Sequence, residues 1–299
     1  MDRLESMKVL VAAVETGSLS AAGRKLGMPL ATVSRKVSEL EAHLNARLLN
    51  RSTRRLVLTD AGRDYVVACK RILEDLGDAE RNAAGEYSAP RGDLIITAPI
   101  VFGRLHLVPV AVDFLRAYPE VDVRLALGDR VVNLLEDQVD LAVRIGELPD
   151  SSLIATRIGV IRQVVCASPS YFAEHGVPGT PGELHAHQCI TFAALMSAAL
   201  WAFHVNGVQH SIPVHSRLVV NTAEAAIDAA VHGAGVTRVL SYQIEQARRA
   251  GLLQVVLEDF EPAPVPVSLV FTGQSRLPQK VRAFLDFAAP RLRERIGAG

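Results

Sequence analysis

Basic and small polar side chains recur at helical spacing between residues 30 and 44, and they are the residues best suited to chemistry. One side of this segment is apolar and consists of Val33, Val37, Leu40 and Leu44. At about 100° per residue, the opposite side presents Ala31, Thr32, Arg35 and Ser38, with Ser34 and Lys36 on its flanks. Small side chains let a helix enter a major groove closely, and arginine can contact a base edge or a phosphate. The pattern predicts a helix that reads duplex DNA.

A basic turn follows this segment and offers a second set of cations. Residues 48–49 and 56–58 are apolar and are predicted to form two short strands. The turn between them contains Arg51 and Arg54. A β-hairpin with a cationic tip is a natural contact for phosphates. The alternative is a solvated basic turn with no partner.

Two further helices must position the reading helix. Apolar residues at helical spacing predict a first helix that ends at Thr16-Gly17-Ser18 and a second helix over residues 19–26 that ends at Gly27. Pro29 is predicted at the first position of the third helix, where its missing N–H costs nothing. Two short helices around a tight Gly-Met-Pro turn, followed by a hairpin, are typical of a winged helix-turn-helix.

The charge of the chain is distributed unevenly between this segment and the rest. The 299 residues carry no net charge, with 32 basic and 32 acidic side chains. Residues 1–59 hold ten Lys or Arg and five Asp or Glu, a balance of +5, so the remainder carries −5. A basic head on an acidic body indicates a polyanionic partner that only the head contacts.

A long amphipathic helix is predicted from Thr59 to about Tyr87, with Thr59 as its N-cap. Its apolar seam has heptad-like spacing and consists of Tyr65, Cys69, Ile72, Leu76, Ala79 and Ala83. Because a lone amphipathic helix of this length needs a partner, we expect dimerisation through it. The alternative is packing against its own chain. The run 88–92, Ser-Ala-Pro-Arg-Gly, breaks the helix and marks a domain boundary.

Beyond residue 92, apolar strand-like runs alternate with helical patterns. Strands are predicted at 94–97, 123–127, 141–145, 164–167, 216–220, 235–239 and 267–271, with two more inside the uncharged stretch 189–203. Helices are predicted at 103–118, 131–137, 222–232, 241–250 and 278–295. This alternation predicts an α/β body built on parallel sheets.

Catalytic, metal and cofactor chemistry finds no support in the sequence. His185 and His187 lack a carboxylate at ligand spacing, and the three cysteines form no C-x-x-C pair. Cys166 lies in an apolar strand without adjacent cations, which predicts a buried, inert thiol. We see no dinucleotide fingerprint, Walker loop or nucleophile elbow. We therefore expect no enzyme, no cofactor and no metal.

Export and membrane insertion are also not indicated. The first residues are charged and include no apolar signal segment, and the stretch 189–203 is shorter than the roughly 20 residues a membrane span needs. The expected location is the cytoplasm. A solute-binding protein would leave the basic head unexplained, and an enzyme would need a catalytic set that is missing. A DNA-binding protein that needs no ligand remains the alternative.

Over essentially its full length the chain resembles the LysR-type transcriptional regulators. The matching runs in the N-terminal part are 18–22 (SLSAA), 33–35 (VSR), 40–41 (LE), 47–51 (RLLNR) and 58–62 (LTDAG). Those in the body are 98–99 (AP), 114–119 (FLRAYP), 140–146 (DLAVRIG) and 166–169 (CASP). The order and spacing of the N-terminal runs carry most of the resemblance.

The resemblance implies an α/β protein with an N-terminal all-α winged helix-turn-helix at 1–59, a dimerisation helix at 60–90 and an effector-binding domain at 91–299. Its function would be sequence-specific DNA binding that a small molecule modulates. Family patterns place DNA contacts at Ala31, Thr32, Ser34, Arg35 and Arg54. Partners would be double-stranded DNA, a second copy of the chain in a homodimer or homotetramer, and RNA polymerase.

The effector-binding domain would be a periplasmic-binding-protein-like sensor. Its first subdomain would comprise 91–161 and 267–299, its second 162–266, and the ligand would lie in the cleft between them. The family's cleft positions correspond to Pro99, Ile100, Val101, Arg144, Gly146, Thr191, Phe192, Asn221, Thr222 and Val236. Helix N-termini with available backbone N–H groups suit a carboxylate, so a carboxylate or an aromatic molecule is the expected effector.

Overall fold

The chain divides between Ala89 and Pro90 into two units in the computed structural model. The structure describes residues 2–51, 56–83, 89–149, 152–192, 200–273 and 277–297. Among these residues, no helix combines the length and apolar character that crossing a membrane requires.

Three helices form the first part of the N-terminal unit, close to the predicted bounds. They are α1 Arg3–Thr16, α2 Leu19–Leu26 and α3 Leu30–Leu44. Gly17 ends α1 in the left-handed region at φ 73°, and the Ser18 hydroxyl then accepts a bond from the Ala21 N–H at 3.1 Å, which begins α2. Pro29 is the extended residue before α3, not its first helical residue as predicted.

The wing and the long helix complete this unit. Strands β1 (Leu49–Arg51) and β2 (Leu56–Leu58) pair antiparallel, which confirms the predicted hairpin. Helix α4 follows over Asp60–Ala83, and the predicted Thr59 cap is confirmed, since its Oγ1 accepts from the Gly62 N–H at 2.9 Å. The unit's core joins the apolar faces of α1, α2, α3, β1 and the start of α4.

The described residues of the C-terminal unit form two five-stranded sheets and a hairpin. The first sheet consists of β3 Gly92–Ala98, β4 Val121–Leu127, β5 Leu141–Ile145, β6 Leu153–Ile161 and β14 Val265–Thr272. Its strand order is β4-β3-β5-β14-β6. The second sheet consists of β7 Gln163–Ala167, β8 Cys189–Phe192, β11 Ser216–Val220, β12 Val236–Leu240 and β13 Gln254–Val256. Its strand order is β11-β8-β12-β7-β13. The hairpin is β9 Leu200–Val205 with β10 Val208–Pro213.

Both sheets are mixed, which corrects the expectation of parallel sheets. In the first, β3 is parallel to β4 and β5, whereas β14 runs antiparallel to β5 and β6. The reason is the chain path, because the chain leaves the first sheet at Ile161, enters the second at Gln163 and returns at Val265. The returning strand thus enters the first sheet from the opposite end.

Helices cover the sheets at most of the predicted places. They are α5 Ile100–Phe102, a π-helical turn Gly103–Leu107, α6 Val108–Ala117, α7 Pro169–His175, α8 Ala223–Val231, α9 Ser241–Arg249 and α10 Gln279–Gly297, with 3-10 turns at Pro181–Ala186 and Glu258–Phe260.

The helix predicted over 131–137 is wrong. In its place the Asp137 carboxylate accepts from the Asn133 N–H at 2.9 Å, and the Asn133 side chain accepts from the Leu135 N–H at 3.1 Å. Such side-chain bonds satisfy the backbone in a turn and compete with a helix. Val131, which lies 84% exposed, also has no core to pack against.

Candidate nucleic-acid interface and ligand cleft

The exposed face of α3 is the candidate nucleic-acid interface. Val33, Val37 and Leu40 are fully buried, so they anchor the helix in its own core. On the other side Ala31 and Arg35 are exposed, and Thr32 and Ser34 are half-buried. The buried stripe predicted from the periodicity is therefore confirmed. The surface that remains has short side chains and one long cation.

Arg35 is held on this face by a weak contact. Its Nη1 lies 2.7 Å from the Glu39 carboxylate one turn later, and 64% of the arginine side chain is exposed. Exposed pairs of this kind contribute about 0–1 kcal/mol. A phosphate or a guanine edge can therefore replace Glu39 at small cost.

Lys36 pairs within the protein. Its Nζ lies 2.5 Å from the Glu5 carboxylate on α1, and only 13% of its side chain is exposed. The lysine thus joins α3 to α1, and its role as a DNA contact stays a prediction. Arg51 lies in β1, where its side chain is not described, and Arg54 lies outside the described residues.

Two contacts that the sequence did not predict fix the wing against the helices. One oxygen of the half-buried Glu41 carboxylate accepts from the backbone N–H groups of Leu48 and Leu49, at 2.8 and 3.0 Å. The Thr59 hydroxyl donates to the Arg47 carbonyl at 2.6 Å. The only earlier signal for these contacts was that Leu40-Glu41 and Leu58-Thr59 belong to the quoted family runs.

The apolar seam of α4 divides into two parts. Its beginning packs inside the unit, since Cys69 is fully buried and Tyr65 packs against the same core. Burial raises the pKa of the Cys69 thiol to about 11. Further along, Ile72 is 43% exposed. Part of the predicted seam is therefore internal packing, and part remains uncovered in the single chain.

In the C-terminal unit the predicted ligand positions lie at two groups of strand ends. In the first sheet, Pro99 precedes α5, and Arg144 and Gly146 lie at the end of β5. The parallel register of β3 with β5 brings these ends together. Arg144 Nη2 donates to the Val132 carbonyl at 2.5 Å, and Gly146 occupies φ 118°.

The second sheet contributes the ends of β8 and β11. Their register pairs Thr191 with Val219 and Phe192 with Val220, which places Asn221 and Thr222 just beyond. The Thr191 hydroxyl lies 2.7 Å from that of Ser216. The Thr222 hydroxyl caps α8 by accepting from the Ala225 N–H at 3.3 Å.

Three predicted positions offer less to a ligand than expected. Val101 and Val236 are buried in the apolar cores, with 2% and 0% of their surface exposed. The N–H of Ile100 donates to the Asp129 carboxylate at 3.1 Å. One backbone N–H at the start of this helix is therefore already bonded to the protein's own carboxylate.

Tyr242 lies near residues of both halves, and sequence reasoning missed it. Its ring packs on Phe102 with centroids 5.7 Å apart. Burial raises its pKa strongly, and the charges of Asp129 and Glu224 add to that effect. The buried Glu224 Oε2 has no hydrogen-bond partner among the described residues. The Tyr242 ring therefore lies near two carboxylates, one from each half.

Metal and thiol chemistry find no site in the described part of the chain. No group of three His, Cys, Asp or Glu side chains is placed there to hold a metal ion. Burial raises the pKa values of Cys166 and Cys189 to about 12 each. Both thiols are therefore protonated at neutral pH.

Comparison with known proteins matches both parts of the chain. The family model for the bacterial regulatory helix-turn-helix protein, lysR family, matches residues 4–63, and that for the LysR substrate binding domain matches residues 88–293. An HTH-type transcriptional regulator of Xanthomonas campestris is 36% identical over 293 residues, which are 97% of this chain and 85% of that protein. The transcriptional activator AaeR of Escherichia coli is 32% identical, over 96% of this chain and 93% of its own length.

Solved structures agree over the same span. The structure of CrgA, a LysR-type transcriptional regulator from Neisseria meningitidis, is 32% identical, with a TM-score of 0.62 and 98% of each chain covered. The full-length structure of the Vibrio cholerae virulence activator AphB is 29% identical, with a TM-score of 0.61, and covers 96% of this chain and 98% of its own.

Proposed function

Because the chain belongs to the LysR family of bacterial transcriptional regulators, we propose that α3 reads a duplex operator through Ala31, Thr32, Ser34 and Arg35. The chain regulates transcription by binding DNA through its helix-turn-helix, and its C-terminal domain is the effector-binding domain of that family. The observation that carries the proposal is the division of α3 into a fully buried stripe and an exposed face with a single long cation.

The phosphates flanking the operator bases are proposed to contact the wing, where Arg51 and Arg54 supply the charge. This is consistent with the excess of five positive charges over residues 1–59 in a chain of zero net charge. Lys36 is left out of the proposed contacts because Glu5 holds its ammonium group.

The proposed effector site is the cleft where the ends of β5, β8 and β11 meet α5 and α8. Of the two expected effector classes, an aromatic molecule is the better supported, since Phe192 and the ring of Tyr242 offer apolar faces. A carboxylate would lie near Asp129, which already holds the Ile100 N–H, and near Glu224. Like charges in a partly buried site repel.

Regulation is proposed to act through an oligomer. The uncovered part of the α4 seam around Ile72 is suited to a second copy of the chain, giving a homodimer or, with the C-terminal domains, a homotetramer. An effector that binds one arrangement of the oligomer better than another shifts the spacing of the two reading helices. Contact with RNA polymerase belongs to the same proposal, and since the operator is chromosomal, the proposed location is the cytoplasm.

A salt titration of DNA binding tests the role of Arg35. The full chain is titrated by fluorescence anisotropy against the intergenic duplex beside its own gene, at several salt concentrations. Arg35→Ala is expected to weaken binding and to reduce the slope of log K against log [salt] by about one. If the contact is to a base edge, affinity falls by about 1–3 kcal/mol for the operator and hardly at all for random DNA.

The matched control is Arg116→Ala. Arg116 is also exposed and also pairs within its own helix, at 3.1 Å from Asp113, but it lies in the other unit. This variant should keep the wild-type affinity and slope. An Arg35→Ala variant indistinguishable from Arg116→Ala would contradict the proposed reading face.

A further inference from the structure

We propose that the C-terminal unit contains a second ligand pocket, distinct from the effector cleft, that takes an organic anion with an apolar body. The observation is a cavity of about 480 Å³. This volume is in the usual range for small-molecule sites, about 300–1,000 Å³. None of the predicted effector positions lines it.

The walls of the cavity come from both halves of the unit. The π-helical turn Gly103–Leu107, the end of β6 and the end of α10 form one wall, and α9 forms the other. Arg162, the residue between the two sheets, lies between these walls. A ligand here would contact both halves at the point where the chain crosses.

The charges of the lining are strongly biased toward cations. Four arginines line the cavity, Arg104, Arg162, Arg249 and Arg295, against one carboxylate, Glu245. Arg162 lies 3.2 Å from Glu261, and Arg249 lies 2.6 Å from Glu245, so both are compensated.

The two remaining arginines carry uncompensated charge. Within the described residues, neither Arg104 nor Arg295 pairs with a carboxylate, and Arg295 Nη2 donates only to the Leu105 carbonyl, at 3.2 Å. A guanidinium group recognises carboxylates, sulfonates and phosphates through charge-assisted, often bidentate hydrogen bonds.

The rest of the lining is apolar or aromatic. Leu105, Ile161 and Ile296 line the cavity together with Tyr242 and His106, whose rings lie 5.4 Å apart. The buried Nδ1 of His106 has no hydrogen-bond partner among the described residues. An apolar surface beside uncompensated guanidinium groups suits an aromatic or aliphatic acid better than an inorganic ion.

The position of the cavity gives it a regulatory consequence. Tyr242 lines this cavity and also packs against Phe102 behind the effector cleft. A ligand bound between the π-helical turn and α9 would hold the two halves in one arrangement, and the cleft lies between the same halves. Binding at the two sites is therefore expected to be coupled.

Calorimetric titration of the full chain with 1-naphthoate tests the proposal, with uncharged 1-naphthamide as the comparison ligand. We expect 1-naphthoate to bind with a dissociation constant below about 1 mM, which corresponds to about 4.1 kcal/mol, and 1-naphthamide to bind at least tenfold more weakly. The double variant Arg104→Gln/Arg295→Gln should weaken 1-naphthoate binding at least tenfold. The control Arg293→Gln, on the same helix but outside the cavity, should bind like the wild type.

A second variant keeps the test decisive if the double variant does not fold. Gln246→Trp fills the cavity from the exposed side of α9 without changing its charge, and it should abolish binding while thermal unfolding stays unchanged. The proposal is overturned if no heat of binding is found at millimolar 1-naphthoate, or if 1-naphthamide binds equally well. Wild-type affinity in Gln246→Trp, with loss in Asn221→Ala at the cleft, would also overturn it, because the ligand would then occupy the effector site.

Discussion

Removing the Glu41 carboxylate should release the wing from the helices. One oxygen of this side chain accepts from the N–H groups of Leu48 and Leu49, at 2.8 and 3.0 Å, and so joins α3 to the start of β1. Leu48 and Leu49 are themselves buried, at 1% and 4% exposure. In Glu41→Ala both N–H groups would lose this shared acceptor in a place that water reaches poorly.

The magnitude follows from the two bonds. A hydrogen bond to a charged group contributes about 1.5–3 kcal/mol, and because the two bonds share one oxygen, we expect a loss of about 3 kcal/mol for Glu41→Ala. Glu41→Gln keeps a neutral acceptor and should lose about half of that. Glu39→Ala, two residues earlier, removes only the exposed pair with Arg35 and should lose less than about 1 kcal/mol.

Amide hydrogen exchange in the full chain measures this loss locally. Since about 1.4 kcal/mol corresponds to a factor of ten, protection of the 48–49 amides should fall about a hundredfold in Glu41→Ala and about tenfold in Glu41→Gln. Protection in the C-terminal unit should not change. Equal protection of these amides in Glu41→Ala and Glu39→Ala would refute the role assigned to the carboxylate.

Two further predictions concern close packing and thiol reactivity. In Gly62→Ala the new Cβ would lie 2.0 Å from the Leu48 carbonyl oxygen. The cost of overpacking, about 1–3 kcal/mol, exceeds the helix-propensity gain of about 1 kcal/mol, so urea unfolding should show a net loss of stability. The control is Gly128→Ala, whose Cβ would meet nothing within 4 Å and which should show no such loss. Burial raises the pKa values of Cys166 and Cys189 to about 12. Neither thiol should therefore react with iodoacetamide in the folded protein at pH 8, whereas both should react in urea. Modification of these thiols in the native protein at the rate seen in urea would contradict their burial.

The helix-turn-helix was predictable because its information is local. The bounds of α2 follow from Ser18 as cap and Gly27 as terminator, and the buried side of α3 follows from the spacing of Val33, Val37 and Leu40. Strands β5 and β11 were predicted with their observed bounds. Other strands were missed for different reasons, among them β13, since three residues carry too little periodicity to be recognised, and the nine-residue β6, since only Ile158 and Ile161 in it are buried and it forms no continuous apolar run.

The sequence by itself determined which faces are apolar, where the chain must turn and which family the chain resembles, because these properties depend on residues a few positions apart. Only the tertiary structure decided how side chains distant in sequence are used. It pairs Lys36 with Glu5 and places the Asp129 carboxylate where it accepts from the Ile100 N–H. It also brings Arg104 and Arg295 to one cavity. The physical reason is that a charged group or a backbone N–H bonds to the partner that folding brings within hydrogen-bond distance. That partner cannot be identified from the linear order of the residues.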